Sequence, residues 1–135
     1  MRIYIASSWK NQHAVELLTA ILRGRGHEVI SFVENNFREW KRYEGPPIPF
    51  DEWVASEKGG QAFRYDTDAT TKSDLVIYVG PSGTDAWAEV GAAWASGVPV
   101  FGLWAKGEPA GLMRRMVSWF CNHHDLLNAL VEVQK

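Results

Sequence analysis

The chain has 135 residues, of which 46% are hydrophobic and 22% are charged, a composition typical of one soluble globular domain. The formal net charge of −2 gives no bulk attraction to polymeric nucleic acid or to a membrane, so we expect neither as a partner. Cys121 is the only cysteine, which excludes a disulfide within the chain and predicts a cytoplasmic protein. We also expect no signal peptide and no membrane-spanning segment.

Apolar runs alternate with amphipathic segments along the chain. Continuous apolar runs predict buried parallel strands at Arg2–Ala6, Glu28–Phe32, Asp74–Val79, Val98–Leu103 and, as a candidate fifth strand, Ser118–Cys121. Helical spacing of apolar residues predicts helices around Leu17–Leu22, before the third strand, at Asp85–Ser96 and near His124–Val133. The alternation predicts a single α/β domain, a three-layer sandwich with a flavodoxin-like or Rossmann-like parallel sheet of four to five strands.

The connection Val33–Gly60 is unusually long for a compact domain, and it contains the proline-rich run Gly45–Pro49. Long connections with many aromatic residues are typical of lids over a ligand, but also of satellite hydrophobic clusters and subunit interfaces. The sequence leaves these interpretations open. The aromatic residues concerned are Phe37, Trp40, Tyr43, Phe50 and Trp53.

The segment Ser82–Gly91 carries the most informative pattern, because it follows the third strand and opens a helix of small residues. Open α/β sheets bind ligands at such loops. Gly83 allows a ligand to approach the backbone, and the free amides of the turn suit an anion. The side chains expected to cap the helix are Ser82, Thr84 or Asp85, and all three are also candidates to bind a substrate. Trp87, in the first turn of the helix, is a further candidate to bind a substrate.

Glu89 falls at or just after the first turn of this predicted helix. The helix dipole there favours an ionised carboxylate, which predicts a nucleophile or an electrostatic stabiliser rather than a proton donor. An ordinary capped helix with an acidic first turn has the same local pattern, so the pattern alone supports both interpretations.

The loop after the first strand lies beside the third-strand loop in a doubly wound sheet. Ser7 and Ser8 are candidates to bind a phosphate or sugar hydroxyl, and Trp9 is a candidate to stack on a base. The same residues also fit a helix cap followed by a packed tryptophan. The chain contains no G-x-G-x-x-G or Walker motif, so neither a dinucleotide fingerprint nor a P-loop is predicted.

Two acidic residues, Asp66 and Asp68, lie on the helix predicted before the third strand. They are about 200° apart around a helix, so only one of them can face a shared pocket. Asp66 shares a face with Phe63 and Thr70, whereas a solvated surface acid is the ordinary interpretation of either aspartate. We predict no metal site, since the histidines and Cys121 lack ligand spacing, and no cofactor.

Several of these segments resemble the nucleoside 2-deoxyribosyltransferase family, which includes deoxynucleoside 5′-monophosphate N-glycosidases and cytidine monophosphate hydrolases. The similar segments are Arg2–Ala6, Ser73–Tyr78, Gly83-Thr84 leading to Glu89-Val90-Gly91, and Gly97–Val100. The resemblance implies that Glu89 is the nucleophile at the anomeric carbon and that Asp66 orients the sugar or relays a proton. It also implies a 5′-phosphate site at Ser82, Gly83 and Thr84, and a homodimer or higher homo-oligomer.

The predicted function is therefore cleavage or transfer of the N-glycosidic bond of a nucleoside or nucleoside 5′-monophosphate. A carboxylate that stabilises or captures the developing positive charge on the sugar suits this reaction, with a second acid for the proton. Trp9, Trp87 or the aromatic connection would exclude water and stack the base. The alternatives are a phosphoribohydrolase-like or NAD glycohydrolase-like enzyme and a non-catalytic nucleotide-sensing module.

Overall fold

A computed structural model describes residues 1–34 and 49–133 of the chain. The strands are β1 (Arg2–Ala6), β2 (Glu28–Ser31), β3 (Leu75–Val79), β4 (Val100–Leu103) and β5 (Ser118–Phe120). The helices are α1 (Gln12–Gly24), α2 (Phe50–Ala55), α3 (Glu57–Lys72), α4 (Thr84–Ala95) and α5 (His123–Val133). Two short 3-10 helices, Trp9–Asn11 and Leu112–Met116, complete the described elements.

The five strands form one parallel sheet in the order β2-β1-β3-β4-β5. This is the flavodoxin-like order. The chain first adds β2 on one side of β1 and then crosses to the other side, where β3 pairs with β1 and Ile77 lies opposite Ile5. The loops after β1 and β3 therefore leave the sheet side by side, at the edge where open α/β sheets commonly bind ligands. The α/β fold, the parallel sheet and the fifth strand are confirmed.

Strand residues alternate between two buried layers, as the pleat of a strand requires. Ile3 and Ile5 face a cluster that includes residues of α1 and α5. Tyr4 and Ala6 face the opposite cluster, to which α3 and α4 contribute. Helices cover both faces of the sheet, which explains why its strands are almost uninterrupted apolar runs.

The ends of the predicted elements differ from the observed ends by one or two residues. Asp74 was predicted as strand, but its carboxylate accepts the Arg2 backbone N–H at 2.8 Å just before β3 begins. The fourth strand was predicted from Val98, whereas the Val98 amide closes helix α4 by donating to Ala93 O at 2.9 Å. Pro99 has no N–H to donate to the sheet, so β4 begins at Val100.

The predicted aromatic connection Val33–Gly60 lies partly outside the described residues, including Phe37, Trp40 and Tyr43. Its described end contains α2 and the start of α3, which Ser56 caps by accepting the Gly59 amide at 3.0 Å. Trp53 of α2 is 42% exposed. The lid therefore stays a prediction. Among the residues described, no helix combines the length and the apolar character needed to cross a bilayer.

Gly102 lies in β4 and pairs with Trp119 of the neighbouring strand β5, and we expect alanine at this position to destabilise the fold. A Cβ atom at Gly102 would lie 2.5 Å from Val117 Cγ1 and 2.9 Å from the Trp119 ring. We expect Gly102→Ala to lower the free energy of unfolding by about 1–3 kcal/mol, measured by urea denaturation. Gly24→Ala is the matched control, because a Cβ there meets nothing within 4 Å. Equal stability of the two variants would contradict the predicted clash.

Candidate active site

Glu89 lies on α4, whose small residues bring the helix close to the sheet. Ala86, Val90 and Ala93 are buried against it, and Glu89 is partly buried on the side of the helix that faces α3. Glu89 is the sixth residue of the helix rather than a first-turn residue. The N-cap is Gly83, and none of the predicted capping side chains closes the helix.

Three residues from two other elements surround the Glu89 carboxyl group. Thr70 of α3 donates from Oγ1 to Glu89 Oε2 at 3.3 Å and to the Asp66 carbonyl at 2.6 Å. A single hydroxyl proton serves both acceptors, so Thr70 donates to one of them at a time. The Asp66 side chain is close enough for its charge to raise the pKa of Glu89. The structure therefore brings Glu89 and Asp66 together.

Asp66, and not Asp68, faces this site. Asp66 Oδ1 is buried and makes no hydrogen bond within the described residues. Asp68 is exposed and pairs with Lys72 at 3.5 Å on the outer face of α3. The spacing argument placed Asp66 and Thr70 on one helix face, and both lie beside Glu89. Phe63, which the argument placed on the same face, is instead 68% exposed.

The electrostatics of the site contradict the predicted ionised state of Glu89. Burial raises the pKa of Glu89 to about 8, the negative charges of Asp66 and Asp85 raise it further, and contacts with Tyr4 and Thr70 oppose the rise. Burial and the charge of Asp85 raise the pKa of Asp66 to about 6. The helix dipole is weak beyond the first turn, so desolvation decides the outcome. Near neutral pH the pair holds about one proton.

Tyr4 is a neighbour of Glu89 that the sequence analysis did not single out. It is fully buried in β1, and its hydroxyl lies beside the Glu89 carboxyl without forming a complete hydrogen bond within the described residues. Burial and the charges of Glu89 and Asp66 raise the pKa of Tyr4 far above its usual range, so the hydroxyl stays protonated. Its place on the α3–α4 face follows from strand alternation, which was the available signal.

The loops after β1 and β3 are joined by a side chain that the sequence analysis also missed. The Asn11 side-chain amide donates to Ser7 Oγ at 3.0 Å and to the Pro81 carbonyl at 2.7 Å. Ser7 in turn donates to the Val79 carbonyl at 2.7 Å. Ser7 therefore fixes the two loops to each other. The predicted proximity of the loops is present.

Two other hydroxyl groups of these loops have no partner within the described residues. Ser8 Oγ and Ser82 Oγ are both buried and form no hydrogen bond there. A buried polar atom without a partner costs free energy unless a ligand or water satisfies it. Thr84 and Asp85 are exposed beside them at the start of α4. These side chains can offer hydrogen bonds to a polar ligand.

The two tryptophans predicted to contact a base have different surroundings. Trp9 is 44% exposed and packs edge-on against Phe32 with ring centroids 5.3 Å apart. Trp87 points away from Glu89, because the two are about 200° apart on α4. Its indole Nε1 donates to Tyr78 Oη at 3.0 Å and to Glu108 Oε1 at 3.2 Å. Base stacking by either ring stays a prediction.

Glu89 lies outside two surface cavities that are lined by described residues. One, of about 270 Å³, lies along α1 and includes Glu16 and Arg23. The other, of about 360 Å³, lies in the β4–β5 connection beside Trp104 and Arg114. The carboxyl pair instead lies between α3, α4 and β1, and both of its residues are partly buried.

The fold of the chain is shared with solved structures, two of which are named as enzymes. A 2-deoxyribosyltransferase from the psychrotolerant bacterium Bacillus psychrosaccharolyticus superimposes with a TM-score of 0.73 and 23% identity, over 95% of this chain and 91% of that one. The CMP N-glycosidase BcmB from Clostridium botulinum superimposes with a TM-score of 0.61 and 23% identity, over 96% of this chain and 98% of that one. A conserved protein from Enterococcus faecalis V583 superimposes with a TM-score of 0.55 and 21% identity, over 98% of this chain and 76% of that one.

At the level of sequence, neither a family model nor a curated protein matches the chain. The structural similarity confirms the fold that the sequence motifs implied. Two of the similar proteins are named for reactions at N-glycosidic bonds.

Proposed function

We propose that the protein cleaves or transfers the N-glycosidic bond of a nucleoside or nucleoside 5′-monophosphate, with Glu89 as the nucleophile. The observation that carries this proposal is the partly buried pair of Glu89 and Asp66, both of which Thr70 contacts and whose charges interact. The raised pKa values of the two groups, about 8 and about 6, are consistent with one shared proton near neutral pH. The fold shared with a 2-deoxyribosyltransferase and a CMP N-glycosidase supports the same class of reaction.

One proton on two carboxyl groups is the stoichiometry that the first half-reaction needs. The proton first moves from Glu89, which has the higher pKa, to Asp66. The resulting carboxylate of Glu89 forms a bond to C1′ of the sugar while the C1′–N bond to the base breaks. The departing base takes up the proton that the pair held, and Asp66 is the group through which that proton moves. The products of this step are a glycosyl ester on Glu89 and a neutral base, so charge and protons balance.

The second half-reaction reverses the proton movement. A water molecule or a second base attacks C1′ and breaks the ester bond, and its proton returns to the carboxyl pair. Water gives hydrolysis, whereas an acceptor base gives transfer. Tyr4, held protonated against Glu89, supplies a hydrogen bond to the carboxylate when it is regenerated.

We assign substrate binding to the loops at the edge of the sheet. The unpartnered hydroxyls of Ser8 and Ser82 offer hydrogen bonds to a sugar or a 5′-phosphate. Gly83 and Thr84 begin α4 without a side-chain cap, so backbone amides there remain available to an anion. Trp9 provides an exposed ring next to Ser8 for a base. The homo-oligomer, and the aromatic lid that Val33–Gly60 would form, stay predictions.

Chromatographic detection of free base tests the proposal. The purified protein is incubated with a panel of nucleosides and their 5′-monophosphates, with and without a second base, and with NAD as a separate arm. We expect base release from at least one nucleoside or monophosphate, and a new nucleoside only if the enzyme is a transferase. Release from NAD alone would favour the NAD glycohydrolase alternative. Tight binding without any release would identify a nucleotide-sensing module and overturn the proposal.

A further inference from the structure

A second buried carboxylate, Glu108, lies on the flank of α4 opposite to Glu89. It belongs to the connection between β4 and the Leu112–Met116 turn, and its side chain is only 2% exposed. Tyr78 Oη lies 2.7 and 2.9 Å from its two oxygens, and Trp87 Nε1 donates to Oε1 at 3.2 Å. Arg114 Nη2 completes the set at 3.5 Å.

This cluster contacts the two segments that present the candidate active site. Trp87 belongs to the first half of α4, two residues before Glu89. Tyr78 Oη accepts the Trp87 indole N–H at 3.0 Å and also interacts with the Ser82 backbone. Glu108 therefore holds α4 directly through Trp87, and it holds the turn at Ser82 through the Tyr78 hydroxyl.

The side chains packed around Trp87 fix the orientation of its ring. Tyr78 lies on one side with ring centroids 4.8 Å apart, and the Arg114 guanidinium lies 3.9 Å from the ring centroid. Gly80 allows the Glu108 carboxylate to approach the end of β3, because a Cβ there would lie 2.8 Å from Glu108 Oε2. A helix pinned through Trp87 cannot rotate about its axis without breaking these contacts.

We propose that Glu108 is a positioning residue for the reaction of Glu89, acting through Trp87 and Tyr78. The inference rests on the proposed function. Rotation of α4 would carry Glu89 away from Tyr4 and Asp66, since Trp87 and Glu89 belong to one rigid helix. Burying a carboxylate adds little net stability compared with an apolar replacement, whereas its fixed hydrogen bonds can specify a single orientation. Glu108 thus sets the direction of the nucleophile.

The test compares Glu108→Ala and Glu108→Gln, with Glu28→Gln as the matched surface control on β2. Alanine removes the acceptor of the Tyr78 and Trp87 protons, and glutamine keeps one acceptor oxygen. We expect Glu108→Ala to lower kcat about tenfold or more with KM within about threefold, because ground-state binding is retained. We expect Glu108→Gln to recover most of kcat, and Glu28→Gln to match the wild type. All rates are measured well below each variant's Tm.

Trp87→Phe provides a second, milder variant that keeps the ring and removes only the indole N–H. We expect it to lower kcat in the same direction, and the double variant with Glu108→Ala to be no worse than Glu108→Ala alone. Wild-type kcat in Glu108→Ala, or an equal loss in Glu108→Gln, would overturn the positioning role. Strictly additive losses in the double variant would overturn the route through Trp87.

A readout independent of turnover separates this inference from the proposed function. Carboxyl NMR of the full chain reports the pKa of Glu89, which we expect to fall toward its ordinary value in Glu108→Ala as the helix turns and the carboxyl becomes solvated. An unchanged pKa of Glu89 in a folded Glu108→Ala variant would overturn the inference. Absence of base release by the wild type would instead overturn the proposed function, while the NMR result would still decide whether Glu108 positions Glu89.

Discussion

Replacing Glu89 with glutamine is expected to abolish base release, by about a thousandfold or more, while the protein stays folded. Glutamine is nearly isosteric with glutamate and preserves the contact with Thr70, but its amide cannot form the glycosyl ester. Single-turnover measurements with each active substrate of the panel give the rate, and circular dichroism confirms the fold. Base release at the wild-type rate would remove Glu89 from the mechanism.

The same substitution is also expected to stabilise the protein at alkaline pH. The folded pKa of Glu89, about 8, lies above its ordinary value of 4.5, so the unfolded chain loses this proton first as the pH rises. The stabilising contribution of the protonated group is fully present below its unfolded pKa and is lost through about pH 8. We compare the free energy of unfolding of Glu89→Gln with that of the wild type at two pH values. The difference, variant minus wild type, should be about 1–3 kcal/mol larger near pH 9 than near pH 5.

Urea denaturation at the two pH values measures this difference. Asp68→Asn is the matched control, because Asp68 is exposed on the outer face of α3 and pairs with Lys72. The control variant should show no comparable gain in stability at high pH. A constant stability difference between Glu89→Gln and the wild type across the pH range would show that the Glu89 carboxyl is not desolvated.

Replacing Asp66 with asparagine is expected to reduce kcat by about a hundredfold or more, because asparagine cannot relay the proton to the departing base. The wild type needs one ionised and one protonated carboxyl group, so its rate should peak between the pKa values of about 6 and about 8. The variant should lose the alkaline limb of this profile and follow the ionisation of Glu89 alone, rising with pH.

A substrate with a cationic base, such as a 7-methylguanine nucleoside, distinguishes proton transfer from simple disruption of the site. Its base departs without taking up a proton, so Asp66→Asn should retain most of the wild-type rate on it. An equal loss on both kinds of substrate would assign Asp66 to sugar binding instead. Asp68→Asn again serves as the control and should behave as the wild type.

The sequence left the strand order open between flavodoxin-like and Rossmann-like, but the strands themselves could be predicted because parallel strands covered on both faces are apolar along their whole length. The pairing of Asp66 and Thr70 on one face of α3 also followed from helical spacing. Both inferences depend only on local periodicity. Element ends were less well predicted, since the start of β4 depends on the missing amide of Pro99 and on the Val98 amide that closes α4.

The protonation state of Glu89 could not be predicted locally, because it depends on burial by α3 and β1. Tyr4 and Glu89 are far apart in sequence, and only the packed sheet shows that they are neighbours. Glu108 was missed for a similar reason, since it lies in an irregular connection without periodicity. Its contacts with Tyr78 and Trp87 arise from three separate parts of the chain.

The position of β1 inside the sheet, between β2 and β3, has a consequence for synthesis of the protein. Ile3 and Ile5 are translated before β3, which covers one edge of β1 and leaves the ribosome only after Leu75–Val79 have been made. Until then, β1 has only β2 as a hydrogen-bonded neighbour. Non-local parallel pairing forms slowly, and an open strand edge favours association with other chains. Nascent chains of this protein should therefore depend on chaperones until β3 emerges.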